Sequence, residues 1–264
     1  MKLHSPSSRL WLTALILGPC CLGSRAQILI DRQITIQPIL VKNGSQIANS
    51  SHNFYEAVAD KIWSQAGIDI KFLDPVVYDN SSFWNITSGT GSSSLSTLSG
   101  TILNGSSSDP HVLNMWFCNT LNSSSGTLGL TLQSTPGDGF TITRNGLSIA
   151  ANTFLFNAST VIAHEIGHSL GLDHSTFGAS GTFNLMSQNS IPAGGIGVGD
   201  IYPDGSDYGQ LTAAQITQAR SVTQFVQTLD NPYFYGTPVP EPESIATVAA
   251  GVLGAWALYR RKSA

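Results

Sequence analysis

The stretch His164-Glu165-Ile166-Gly167-His168-Ser169-Leu170-Gly171-Leu172-Asp173-His174 constrains this chain more than any other. Apolar residues at helical spacing from Ala158 to Leu170 predict a helix through its first half. In a helix at ~100° per residue, His164 and His168 sit about 40° apart and one turn along the axis. Two imidazoles can therefore grip one ion from the same face. Glu165 projects beside them, within reach of a water at that ion without being a ligand itself. Gly171 tolerates φ > 0 and predicts a left-handed cap that ends the helix. The chain then turns back and delivers His174 as a third ligand. Three neutral imidazoles around Zn²⁺ with one open position form a catalytic rather than a structural arrangement. The sequence has six His, and no other set of three shares a motif.

This pattern resembles the metzincin motif, matched at each ligand position by His164, His168 and His174. The resemblance implies zinc-dependent peptide hydrolysis, with Glu165 as general base. It also implies a tight turn whose methionine packs below the ligands, and Met186 in Asn184-Leu185-Met186-Ser187 fits that role. The run ending His174-Ser175 looks like matrixins. Leu113-Asn114-Met115-Trp116, Gly126-Thr127-Leu128-Gly129 and Leu211-Thr212-Ala213-Ala214-Gln215 look more like pappalysins. By that second likeness Asn114, Met115, Trp116 and Phe117 are expected on the edge strand that pairs with extended substrate. Two features depart from the matrixin pattern. No prosegment cysteine fits ahead of the first strand, and His52 and His111 are too few for a second, structural zinc. Some metzincins place a Tyr two residues past the methionine, where this chain has Gln188.

Around the motif the sequence predicts an α+β domain, a metzincin-like twisted mixed sheet with three main helices and a zinc cleft below its edge strand. Gln33 to Gln37 and Ile68 to Phe72 alternate as half-buried strands do, and Val112 to Phe117 and Phe140 to Thr143 read as further strands. Asn53 with Glu56 suggests a capping box opening a helix to Gln65, closed by Gly67. Thr212 with Gln215 opens the last helix, whose apolar face is Ile216, Ala219, Val222, Phe225 and Val226. Residues 80–110, rich in Ser, Gly, Thr and Asn, read as loops with one weak strand.

Both termini look like targeting segments. Lys2 and Arg9 precede an apolar run from Leu10 to Leu22, and Ser24-Arg25-Ala26 offers a cleavage site, so residues 1–26 read as a secretory signal. The catalytic domain is expected over 27–230 and a linker over 231–238. Residues 239–264 hold Pro240-Glu241-Pro242, an apolar run from Ile245 to Tyr259 and the basic Arg260-Arg261-Lys262. That tail resembles a PEP-CTERM sorting signal, which implies a bacterial envelope protein handled by an exosortase. The apolar run is about 23 Å long as a helix, short for a hydrocarbon core of ~30 Å unless flanking residues snorkel.

Between the two segments, Gln27 to Val239 carries six Lys and Arg against fourteen Asp and Glu, a formal charge of −8. Such an acidic surface argues against nucleic acid and anionic membrane as partners. Of the three Cys only Cys118 lies there, so no internal disulfide forms, and a buried thiol is expected. Asp200, Asp204 and Asp207 with Gly205 offer a weak calcium loop; an acidic solvated turn explains them better. Two functions stay open at this level. One is an exported zinc endopeptidase; the other is a non-catalytic, zinc-stabilised matrix or adhesion module, against which an intact Glu165 argues.

Overall fold

The computed structural model describes residues 27–88, 91–99, 105–124, 126–132, 147–155, 157–187, 197–202, 205 and 208–235. Within them the chain forms strands β1 (Leu29–Asn43) and β2 (Gln46–Ile47), helix α1 (Glu56–Ser64), then β3 (Ile68–Phe72), β4 (Val76–Asp79) and β5 (Asn85–Ile86). Next come α2 (Leu95–Ser99), β6 (Val112–Cys118), β7 (Thr120–Leu121), β8 (Gly129–Thr131), β9 (Leu147–Ala150) and α3 (Asn152–Leu155). Helices α4 (Val161–Ser169) and α5 (Ala213–Ser221) and strand β10 (Gln227–Phe234) follow. The expected α+β class holds.

Strand β1 is the spine of the sheet. β3 and β4 run parallel to it along one flank, and β6 runs parallel along the other, from Thr35↔Val112 to Leu40↔Phe117. β10 lies antiparallel beside the first residues of β1. Beyond β6 comes β9, parallel, and then β8, antiparallel and last on that path. A core packs on each face of this sheet. Met115 and Phe117 of β6 join α1 and α4 through Ile62, Trp63, Ile162 and Ile166. Their alternating neighbours Trp116 and Cys118 pack with Ile39, Leu95, Leu98 and Leu121.

That double burial corrects the expected edge strand. All seven residues of β6 are buried, and β1 and β9 occupy its two flanks, so Asn114, Met115, Trp116 and Phe117 have no free edge to offer. Asn114 accepts the Ser107 N–H through Oδ1, a structural role. An interior parallel strand buried on both faces reads as one apolar run without polar alternation, as Val-Leu-Asn-Met-Trp-Phe-Cys nearly does. Among the described residues β8, at the end of that path, has a partner strand on one flank only.

Smaller corrections have equally local causes. α1 starts on Tyr55 in a left-handed conformation (φ 50°) with no side-chain cap, because Asn53 Oδ1 instead accepts the Tyr55 N–H. α5 stops at Ser221, so Val222, Phe225 and Val226 reach the core from the turn that follows. β10 then runs to Phe234, across the expected boundary at 230 and into the expected linker, since pairing with Leu29 and Ile30 orders it. The loop region holds the short helix α2 as well as β5. Residues 140–143, Gln188, the signal segment 1–26 and the tail 239–264 lie outside the described residues. Among the described residues no helix is long and apolar enough to cross a membrane.

Candidate metal centre

Helix α4 carries His164, Glu165 and His168, and its end is built to bring His174 back to them. The Leu172 N–H donates to the Gly167 carbonyl and the Gly171 N–H to the His168 carbonyl, each at 3.0 Å. This is a Schellman cap, with Gly171 at φ 78° supplying the left-handed residue. Past it the His174 N–H donates to Asp173 Oδ1 at 2.6 Å, fixing the turn that carries the third imidazole.

The three ring nitrogens converge. His174 Nε2 lies 3.0 Å from His164 Nε2 and 3.1 Å from His168 Nε2, and the candidate ligand atoms of all three fall within 4.8 Å of one another. The other ring nitrogens are spoken for: His164 Nδ1 donates to the Leu185 carbonyl at 2.7 Å, and His168 Nδ1 to the Leu172 carbonyl at 2.8 Å. With Nδ1 protonated in a neutral ring, Nε2 is an acceptor. Burial drives the His164 pKa down to about 4, and burial also lowers that of His168. The lone pairs of two neutral rings therefore face each other and His174 across one small space. A cation at that point satisfies all of them, and tetrahedral Zn²⁺ at ~2.0 Å from nitrogen suits the spacing. Among the described residues this is the one group of three or more ligand-type side chains so placed.

Met186 is fully buried against the helix that carries His164 and His168. Its sulfur occupies the place a side chain at position 167 would need: a Cβ there would sit 2.5 Å from Met186 Sδ. Gly167 in the motif thus leaves room for the methionine packed against it. The turn is tied to α5. Asn184 Oδ1 accepts the Met186 N–H at 3.0 Å, and the Asn184 and Gln215 amides donate to each other at 2.9 and 3.0 Å, both side chains buried. Gln215 also closes the capping box with Thr212, where one was expected.

Glu165 is 6% exposed, and burial pushes its pKa up to about 7, opposed by the Thr131 hydroxyl, which donates to Oε2 at 2.5 Å. Thr131 belongs to β8, so the edge strand and the metal helix form two walls of one cleft. A volume of ≈ 420 Å³ lies between Gly129, Leu130 and Thr131 on one side and His164, Glu165, His168 and His174 on the other. A larger hollow of ≈ 560 Å³ around Gln46, Trp84 and Asn119 is lined by no ionisable side chain and offers no acid, base or ligand set.

The remaining candidates stay apart from this centre. Cys118 is buried, and burial raises its thiol well above the ordinary range, so it is no nucleophile. Asp200 Oδ2 accepts the Gly197 N–H in a 3-10 turn, while Asp204 and Asp207 lie outside the described residues. Sequence reasoning passed over the roles of Gly129, Thr131, Gly167 and the Asn184–Gln215 pair. Only the glycine in Gly126-Thr127-Leu128-Gly129 had stood out, and then only as a family likeness.

A family model described as matrixin matches residues 54–191, just over half of the chain. No curated protein matches the chain in sequence. Among solved structures, mature mirolysin of Tannerella forsythia in complex with a cleaved peptide is similar at 16% identity and a TM-score of 0.44, over 72% of this chain and 90% of that one. A chain in a chaperone–substrate complex is similar at 13% identity and a TM-score of 0.43, over 72% of this chain and 34% of its own length.

Proposed function

The chain belongs to the matrixin family of zinc metallopeptidases, and we propose that it is an exported endopeptidase whose metal is held by His164, His168 and His174 and whose base is Glu165. The observation that carries this reading is the convergence of three imidazole Nε2 atoms beside a buried carboxylate in a cleft walled by an edge strand. Bound there, zinc would supply Lewis acidity, lowering the pKa of water toward neutrality and polarising the scissile carbonyl. Glu165 takes the proton from the attacking water and passes it to the leaving amine. Substrate lies extended along β8, adding a strand beside Gly129 to Thr131. The short antiparallel strand suits this, since it lines the cleft and, among the described residues, pairs with β9 alone.

The terminal segments support a place outside the cytoplasm. Residues 1–26 direct export, and the tail 239–264 holds the protein briefly in the membrane until exosortase-type machinery removes it. A mature protein from the native host that still ended at Ala264 would contradict that sorting.

Metal analysis and digestion of an unbiased peptide library test the reading together. The purified protein should bind one Zn²⁺ and cleave within peptides, and the His164→Ala, His168→Ala double variant should lose both. Full zinc content in that variant would overturn the ligand assignment. Absence of cleavage across a diverse library by zinc-loaded protein would favour a non-catalytic module.

A further inference from the structure

We propose that Thr131 and Gly129 of the edge strand are positioning residues that set where the Glu165 carboxylate sits, so that the strand receiving substrate also places the base. This rests on the reading of Glu165 given above and adds to it.

Residues two apart on a strand point to the same side. On β8 that pair is Gly129 and Thr131, and both meet Glu165. Thr131 Oγ1 donates to Oε2 at 2.5 Å and lies 3.2 Å from the Glu165 backbone carbonyl, so it touches the residue at both ends. Among the described residues no other donor reaches the carboxylate. Gly129 supplies the space. A Cβ at that position would fall 2.2 Å from Oε1 and 2.4 Å from both Cδ and Cγ of Glu165, far inside contact distance. One residue holds an oxygen, and its neighbour keeps the ground beside the other oxygen clear.

The consequence concerns direction. The last torsion of a glutamate is broad and roughly two-fold, so an untethered carboxylate samples many orientations. With Oε2 bound to the Thr131 hydroxyl, Oε1 is the oxygen left to accept the proton of the attacking water. The hydroxyl keeps its own proton throughout. Small misplacements of a reacting group cost up to about a hundredfold in rate, so the tether acts on turnover rather than on affinity. Because β8 pairs with one strand only among the described residues, an added substrate strand would firm the backbone that carries Thr131.

The test compares wild type with Thr131→Val, Thr131→Ser, Gly129→Ala and Glu165→Gln on one peptide substrate, with zinc content and Tm measured for each. Valine matches the shape of threonine and removes the hydroxyl. Thr131→Val should lose roughly ten- to hundredfold in kcat, the worth of a hydrogen bond to a charged group. Its KM should stay within about threefold, with full zinc and a Tm near wild type. Thr131→Ser should recover most of that loss. Gly129→Ala should also lower kcat, by driving the carboxylate from its seat. Wild-type kcat in Thr131→Val beside an impaired Glu165→Gln overturns the positioning role alone. Equal impairment of Thr131→Val and Thr131→Ser also overturns it, because packing rather than the hydroxyl would then matter. An unimpaired Glu165→Gln overturns the parent reading instead.

Discussion

Asp60 lies on α1 with its Oδ1 accepting the Ile70 N–H at 2.8 Å. Burial, with Asp69 and Glu56 adding repulsion, pushes its pKa from the ordinary 3.8 up to about 7. The folded protein therefore holds a proton that the unfolded chain releases near pH 4. Stability from this group is complete below that pH and is lost as pH rises toward 7. Asp60→Asn keeps the acceptor for Ile70 and removes the titration. At pH 8 the variant should be more stable by about 1 kcal/mol, the shift being discounted for partial exposure. Urea unfolding at pH 5 and pH 8 checks this. The variant's advantage should shrink at pH 5, and an advantage equal at both would contradict it. Glu165 is raised by the same physics. Its identity was legible in the sequence because His164 and His168 frame it at helical spacing. Its partner Thr131 was not, because 34 residues of intervening chain leave no periodic trace of the pairing.

At the scale of elements, what the sequence foretold was local. The helix around the motif, the Gly171 cap and the Thr212–Gln215 box depend on neighbours a few residues apart, and all formed. What failed was relational. β6 was recognisable as a strand, but its place in the sheet depends on β9 covering one flank, and its run, apolar but for Asn114, fits an interior strand. Asn53 did form a local hydrogen bond, though with Tyr55 rather than as a helix cap. The α5 start has a second task, since Gln215 grips Asn184 and so fixes the turn that carries Met186. Gln215→Leu should leave the buried Asn184 amide half satisfied and cost about 2 kcal/mol, a Tm fall of roughly 4–8 °C. Loss of zinc affinity should accompany it, because Leu185 in that turn accepts from His164. A Tm within 1 °C of wild type, by the order of that estimate, would remove the pair from the stability of the turn.

For the molecule as a whole, the sheet sets the geometry of the centre. Parallel strands β1, β6 and β9 lie between two cores, α4 packs on one face, and β8 returns antiparallel along the lip to close a cleft over the ligands. Among the described residues the one cysteine, Cys118, is a free buried thiol, so no disulfide adds to that packing. The central claim is that this cleft hydrolyses peptides with Glu165 as base, and Glu165→Gln tests it most directly. Glutamine has nearly the shape of glutamate and similar helix propensity, so zinc content and Tm should hardly change. Its amide cannot take the proton of water, and general base contributions are typically ~10²–10⁴-fold. The measurement is the rate of peptide hydrolysis by wild type and variant at matched zinc content. A fall of at least about a hundredfold is the predicted result, and equal rates would contradict the account.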